Sequence, residues 1–391
     1  MAALYLVATW ASGGCGPHLR MAGESGNAAA HRSRGNQAKR EMSDLLVNTR
    51  PAPAPVDHPA VNSGRVGVLL INLGTPDATT YWPMRRYLKE FLSDRRVIDV
   101  PRALWWPLLN LVILTIRPSR SGAKYASIWD REHNASPLAV ITRAQTAGLR
   151  RRLEQPSGRL VVEYAMRYGS PSIASRLDAL KAQGCERILL VPLYPQYAAS
   201  STATVCDKAF EHLMTMRWQP AIRVVPQWNE DPVYIDALAA SVREGLAELD
   251  FEPEMVLASF HGVPKRYLME GDPYHCFAAK TGRLLRERLG WDETRMRTTF
   301  QSRFGREEWL QPYTDKTVEA LAKSGVKRMA ILAPGFVADC LETLEELGEE
   351  NREIFEHNGG ERYAYIPCLN ASPRGLDVLE HVVLRELGGW V

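Results

Sequence analysis

The sequence predicts an α/β protein built from two doubly wound parallel sheets, and three observations carry that prediction. Short β-rich runs alternate with helical periods from residue 65 onward. The runs are apolar throughout rather than alternating, as expected of strands covered on both faces by helices. They fall into two groups, with longer polar material near residues 205–220, so the halves read as similar structures without a clear sequence repeat between them. The expected division is residues 65–210 and 211–391, the last helix packing back on the first domain.

In chain order the strands are VGVLLINLG (66–74), LVVEYAMRYG (160–169), RILLVPLYPQY (187–197), AIRVVPQW (221–228), MVLASFHG (255–262), TRMRTTFQSRFG (294–305), KRMAILAPGF (327–336) and ERYAYIPCLN (361–370). Each runs into Gly, Pro or polar residues. Between them lie the helical periods PSIASRLDALKAQG, VYIDALAASVREGLAEL, CFAAKTGRLLRERLG and DKTVEALAKSG, all but the second closing on a glycine stop. Before them, residues 1–64 are polar and rich in Ala, Pro, Ser, Arg and Asn after a short apolar start. They bury too little to order themselves and read as a disordered extension, with Met42 as an alternative start.

Bulk properties exclude several classes. A net charge of +3 gives no electrostatic case for nucleic acid. Six cysteines (Cys15, Cys185, Cys206, Cys276, Cys340, Cys368) form no C-x-x-C pair, which favours a reducing compartment over a disulfide framework. Neither G-x-G-x-x-G after the first strand nor a phosphate-binding G-x-x-x-x-G-K-[ST] is present. The longest apolar run, LWWPLLNLVILTI, starts at Leu104 and ends at Ile116; it is too short to span a bilayer. Two readings stand for it: a buried helix, or a surface meeting lipid headgroups through Trp105 and Trp106 with Arg117, Arg120 and Lys124 behind.

In open α/β sheets ligands bind outside the carboxyl ends of the strands. His261, Tyr197, Arg167 and Asn72 all fall at such ends. Of nine histidines only His261 stands in a strand-end loop flanked by Ser259, Gly262 and Pro264. The stretch PGFVADCLETLEELGEENREIFEH (334–357) offers it a partner. Asp339 and Glu342 have capping-box spacing, while Glu342, Glu346 and Glu350 recur every four residues along one helical face. One reading is an ordinary solvated helix face; the other is a path for a hard cation or for protons. Tyr125, Trp129, Tyr168, Tyr194, Tyr197, Trp309 and Phe336 are either core plugs or the walls of a site for a large flat ligand.

INLGTP, AMRYGSPSI, VPLYPQY, SFHGVP, FQSRFGREEWLQPYT and PGFVADCLETLEEL, in that order over about residues 66–370, resemble the ferrochelatases. The resemblance implies two Rossmann-like domains facing each other across a porphyrin cleft. It also implies insertion of ferrous iron into protoporphyrin IX to form protohaem with release of two protons, the final step of haem biosynthesis. On it, His261 and Glu342 are the catalytic, metal-handling pair, and Glu346 and Glu350 continue an outer carboxylate line. Asn72, Leu73, Tyr125, Arg167, Tyr168, Tyr197, Trp309 and Phe336 match porphyrin-binding positions. Porphyrin and Fe2+ are then the partners, and Leu104 to Ile116 matches an apolar lip at the cleft mouth, which makes the enzyme cytoplasmic or peripheral on the inner face of the membrane.

Some branches hold an iron–sulfur cluster on cysteines; here the chain ends HVVLRELGGWV, and Ala199 follows YPQY where a cysteine stands in animal sequences, so no cluster and no cofactor is expected. Cys340 replaces a histidine and Leu73 a methionine of other branches. Coproporphyrin III as substrate, a cobalt chelatase, and a non-catalytic tetrapyrrole binder are the alternatives; the oligomeric state is open.

Overall fold

Parallel strands buried on both faces dominate the architecture. The computed structural model describes His58 and residues 61–154, 158–305 and 307–391; the expected extension over 1–64 and the alternative start at Met42 lie outside the described residues, apart from His58 and residues 61–64. Residues 61–391 form one compact unit.

In the first half β1 (Arg65–Thr75) is followed by α1 (Tyr81–Leu92). A bent rod comes next: α2 (Arg102–Pro107), a π-helical segment (Leu108–Ile113) and α3 (Leu114–Ser127). Then come α4 (Pro137–Arg152), β2 (Leu160–Gly169), α5 (Ile173–Ala182), β3 (Cys185–Pro192), a short π segment, α6 (Thr204–Leu213) and β4 (Ala221–Val224). The second half runs α7 (Pro232–Ala247), β5 (Met255–His261), α8 (Lys265–Met269), α9 (Tyr274–Leu289), β6 (Met296–Gln301), α10 (Thr314–Lys323) and β7 (Arg328–Leu332). A π-helix (Glu342–Glu350) leads into α11 (Asn351–His357), and β8 (Arg362–Ile366) and α12 (Pro373–Glu386) end the chain.

The strands form two four-stranded sheets, ordered β2-β1-β3-β4 and β6-β5-β7-β8. All their pairings are parallel. The two orders are the same pattern shifted by four strands, so the halves are alike in topology where their sequences are not. β4 pairs with β3 and completes the first sheet, beyond residue 210 where the sequence reading divides the chain.

The apolar runs have the cause expected of them. Val66, Val68 and Leu70 of β1 enter one core while Leu69 and Ile71 enter another on the opposite face. In β5, Val256, Ala258 and Phe260 face the first core and Met255 and Leu257 a third. The core shared by Val66 and Val256 joins the halves, and α12 packs against both α4 and α7. In both sheets the strand order reverses beside the first strand, between β1 and β3 and between β5 and β7. Such switch points open a crevice at the carboxyl ends of the strands.

The run from Leu104 to Ile116 departs from the buried-helix reading. Trp105, Leu109 and Leu114 are buried, but Leu104, Trp106, Leu108, Leu111, Val112 and Ile116 are exposed, Leu104 and Leu111 by 70% and 74%. The inward residues are spaced by four and then five, because the π segment adds a residue to the turn. One apolar face therefore seats the rod and the other is left in solvent.

Candidate active site

Both switch points open into one cleft of about 920 Å3, near the upper end of the roughly 300–1,000 Å3 usual for small-molecule sites. Asn72 and Leu73 line it from near the carboxyl end of β1, Leu193, Tyr194 and Gln196 follow β3, His261 ends β5, and Gly335, Phe336 and Val337 follow β7. Glu342, Glu345, Glu346 and Glu350 of the π-helix line it too, and Ile113, Ile116 and Arg117 bring the lip to its edge.

His261 is half-buried at the end of β5, and its Nδ1 lies 2.6 Å from the carbonyl oxygen of Gly262. A carbonyl only accepts, so Nδ1 carries the hydrogen and the neutral ring keeps its lone pair on Nε2. Gly262 is needed for this turn: a Cβ there would sit 2.7 Å from the carbonyl oxygen of Gln301 and 3.1 Å from the Trp309 ring. The following residues pair with the strand-like stretch that carries Trp309, since Leu310 N–H donates to Val263 and Lys265 N–H to Glu308. The motif thus places an imidazole and an aromatic wall together.

Behind it runs a buried polar chain. Ser259 Oγ donates to Gln301 Oε1 at 2.7 Å and meets Thr314 Oγ1 at 2.8 Å, and Thr314 reaches Thr299. Gln301 Nε2 in turn donates to the Glu342 carbonyl at 2.7 Å, fixing the start of the π-helix against the ends of β5 and β6. Ser302 takes a left-handed φ of 66°, which aims its N–H and its hydroxyl at Glu346, at 2.7 and 2.5 Å. Burial pushes the Glu346 carboxyl above its ordinary range; the Ser302 hydrogen bonds and nearby His261 pull the other way without cancelling it, and Glu342 adds to the rise. His261, Glu342 and Glu346 are thus electrostatically linked.

Asp339 does not cap the helix with Glu342 as the spacing suggests. Its buried carboxylate instead accepts from Thr343, Tyr365 and Asn370, and from the Cys368 amide, while the helix winds from Glu342 with i→i+5 bonds. The Asp339 N–H, which a capping-box glutamate would accept, donates instead to Asn370 Oδ1 at 2.8 Å, and the Glu342 side chain lines the cleft. Burial, with Glu342 next, pushes the Cys340 thiol well up, so this residue stays a neutral thiol.

Not every sequence-marked residue reaches this cleft. Asn72, Leu73, Trp309, Phe336, His261, Glu342, Glu346 and Glu350 line it. Arg167 and Tyr197 line a neighbouring polar cavity that shares Tyr267 with it. Tyr125 and Tyr168 are buried behind the wall in the core against which Leu73 packs. Tyr168 donates to Asp94 Oδ2 at 2.9 Å, and Arg167 pairs with the same carboxylate. Sequence reasoning missed Ser302, Gln301 and Asp94 as site residues, and it marked Lys124 only as a basic residue behind the lip; Gln301, Ser302 and Glu345 lie inside quoted motifs, whereas Asp94 had no local signal. Among the described residues no three His, Cys, Asp or Glu side chains converge to chelate a metal. A metal passing through as substrate needs no such closed cage.

Fold and cleft define a class: a two-sheet α/β protein that holds a large, partly apolar ligand against an imidazole and a row of carboxylates. A family model described as Ferrochelatase matches residues 65–387. A Ferrochelatase of Allorhizobium ampelinum is 62% identical over 86% of this chain and 98% of its own. Those of Agrobacterium fabrum and Rhizobium meliloti are each 61% identical, over 88% and 86% of this chain and 99% of their own. The chain belongs to the ferrochelatase family, the metal-inserting lyases of haem biosynthesis, with a porphyrin and iron as substrates.

Proposed function

We propose that this enzyme inserts Fe2+ into protoporphyrin IX, His261 and Glu342 doing the chemistry. The observation that carries the reading is the 2.6 Å contact of His261 Nδ1 with the Gly262 carbonyl oxygen: with Nδ1–H donated there, the Nε2 lone pair is the basic atom in a cleft also lined by carboxylates. The metal must replace two pyrrole N–H protons. His261 Nε2 accepts one, and the carboxylates relay protons outward, Glu346 being suited to hold one because its burial favours the neutral acid. Glu342 meets the cation and delivers it to the four nitrogens as the protons leave. Asn72, Leu73, Trp309 and Phe336 hold the macrocycle; Tyr125, Arg167, Tyr168 and Tyr197 support it from behind or from the adjoining cavity.

His261→Ala and Glu342→Gln should fold normally and lose at least about 100-fold in porphyrin metalation with iron or zinc, the scale of a lost acid–base group. Insertion near the wild-type rate by either variant removes that residue from the mechanism. Parallel rates with protoporphyrin IX and coproporphyrin III decide the substrate; faster turnover of coproporphyrin reverses our assignment.

The exposed lip supports peripheral contact with the inner face of the membrane, for apolar side chains stand in solvent beside the cleft with Arg117, Arg120 and Lys124 following. Among the described residues no helix is long and apolar enough to cross a membrane. We also propose that the enzyme works without an iron–sulfur cluster, the described cysteines being dispersed over both halves; iron and sulfide analysis of the purified protein tests this.

A further inference from the structure

Four polar residues of α3 line the cleft: Arg117, Arg120, Ser121 and Lys124. Their spacing of three, four and seven puts three cations and a hydroxyl on one helical face. The π-helix presents the opposite charge to the same cleft through Glu342, Glu345, Glu346 and Glu350. These two stripes touch at one point. Lys124 Nζ stands 2.8 Å from Glu345 Oε1 and 3.5 Å from Glu350 Oε2.

The π wind makes that contact. In an α-helix, residues five apart point about 140° away from each other. The i→i+5 turn brings Glu345 and Glu350 to one side, where a single ammonium reaches both. Glu345 is mostly buried while Lys124 and Glu350 are half-exposed, so the ammonium sits at the solvent edge with its carboxylate partners to one side. The Lys124–Glu350 pair is exposed on both sides, and such pairs are cheap to exchange, one carboxylate for another.

We propose that Lys124 is a specificity-determining residue for the porphyrin's free carboxylates, held by Glu345 and Glu350 and transferred to a carboxylate of the entering macrocycle. Resting on the porphyrin reading above, this means that Glu345 and the substrate compete for one ammonium. The carboxylate gained by Lys124 replaces the pair it leaves, and charge is conserved along the cation stripe.

The competition has a signature that a static strut lacks: removing the two partners shifts affinity in opposite directions. Equilibrium binding of protoporphyrin IX and of its dimethyl ester, followed by quenching of the full-length protein's fluorescence, reads it. Lys124→Met should weaken the diacid about fivefold and leave the ester unchanged, and Glu345→Gln should tighten the diacid by a similar factor, as an exposed ion pair of this kind implies. Equal shifts of acid and ester, shifts of the same sign in both variants, or no shift in either overturn the proposal. Failure of the wild-type chain to bind either porphyrin would instead strike the substrate reading itself.

Discussion

Asp94 shows how a single side chain far from any motif holds the floor beneath the site. Its carboxylate takes the Arg167 guanidinium, the Thr204 hydroxyl and the Tyr168 phenol, the last at 2.9 Å. Burial alone would raise its pKa, but Thr204, the Arg96 amide, Arg167 and Tyr168 together outweigh that and hold it below the ordinary carboxylate value. A depressed folded-state pKa gives stability that is present above the unfolded value, near 3.9, and lost as pH falls through the folded one. Asp94→Asn should therefore cost about 3 kcal/mol at pH 7, because it strands a nearly buried guanidinium. In urea titrations the gap to wild type should close as the pH is lowered past about 4; a gap independent of pH refutes this account. Gly74, inside INLGTP, matters for the opposite reason, its lack of a side chain, for a Cβ on it would lie 1.8 Å from the Tyr168 carbonyl oxygen at the joint of β1 and β2.

At the scale of elements, the π-helix and the lip rod depart from α-helical winding, and both do so at the cleft. In the π-helix, burial raises the Glu346 carboxyl above its ordinary range. Its raised folded pKa means stability that is full below the unfolded value and lost as pH rises through the folded one. Glu346→Gln keeps an acceptor for the Ser302 amide and removes the ionisable group. It should gain about 1 kcal/mol over wild type at pH 8, with the gain shrinking as the pH falls toward 4, measured by thermal melts across that range. The lip makes a different prediction. Replacing Leu104 and Leu111, both exposed and outside the cleft lining, with serine should cut co-sedimentation with anionic vesicles several-fold and leave zinc insertion into a detergent-dispersed porphyrin unchanged. Unaltered sedimentation would remove the lip from membrane binding.

Across the whole molecule, the halves are stitched at several places. Gln145 of α4 donates to the carbonyls of Val337 and Asn370, at 3.0 and 3.1 Å, and Gln196 donates to Thr281 at 3.1 Å, so residues of the first half hold the loop that leads to Glu342. Arg152 pairs with Asp377 and Glu380 of α12, and Arg223 stacks on the Trp390 ring, binding the chain's end to the first sheet. Gln145→Ala leaves two buried carbonyls without that donor and should cost about 2 kcal/mol. It should also lower kcat for insertion, because the Glu342 loop loses its anchor; a destabilised variant with unchanged kcat would make Gln145 structural only. With one core common to both sheets, residues 61–228 expressed alone should show no cooperative melt by circular dichroism.

Strand identity was legible because a strand buried on both faces is apolar along most of its length, as β1 is from Val66 to Ile71 and β5 from Met255 to Ala258. His261 was legible because a parallel sheet delivers its strand ends to the ligand side. The strand written as RILLVPLYPQY ends in fact at Pro192, since the residues beyond it leave the ladder to line the cleft and hold the second half. Other features had no local mark. Ser302's left-handed turn, the π winding of 342–350, the exposure of Leu104 and Leu111, and the meeting of Lys124 with Glu345 across more than two hundred residues all follow from how the two sheets pack. Chain-local chemistry sets which segments become strands and which residues end them. The partners those residues find, and the protonation states that result, come from contacts between distant segments, because burial and pairing are properties of the assembled fold.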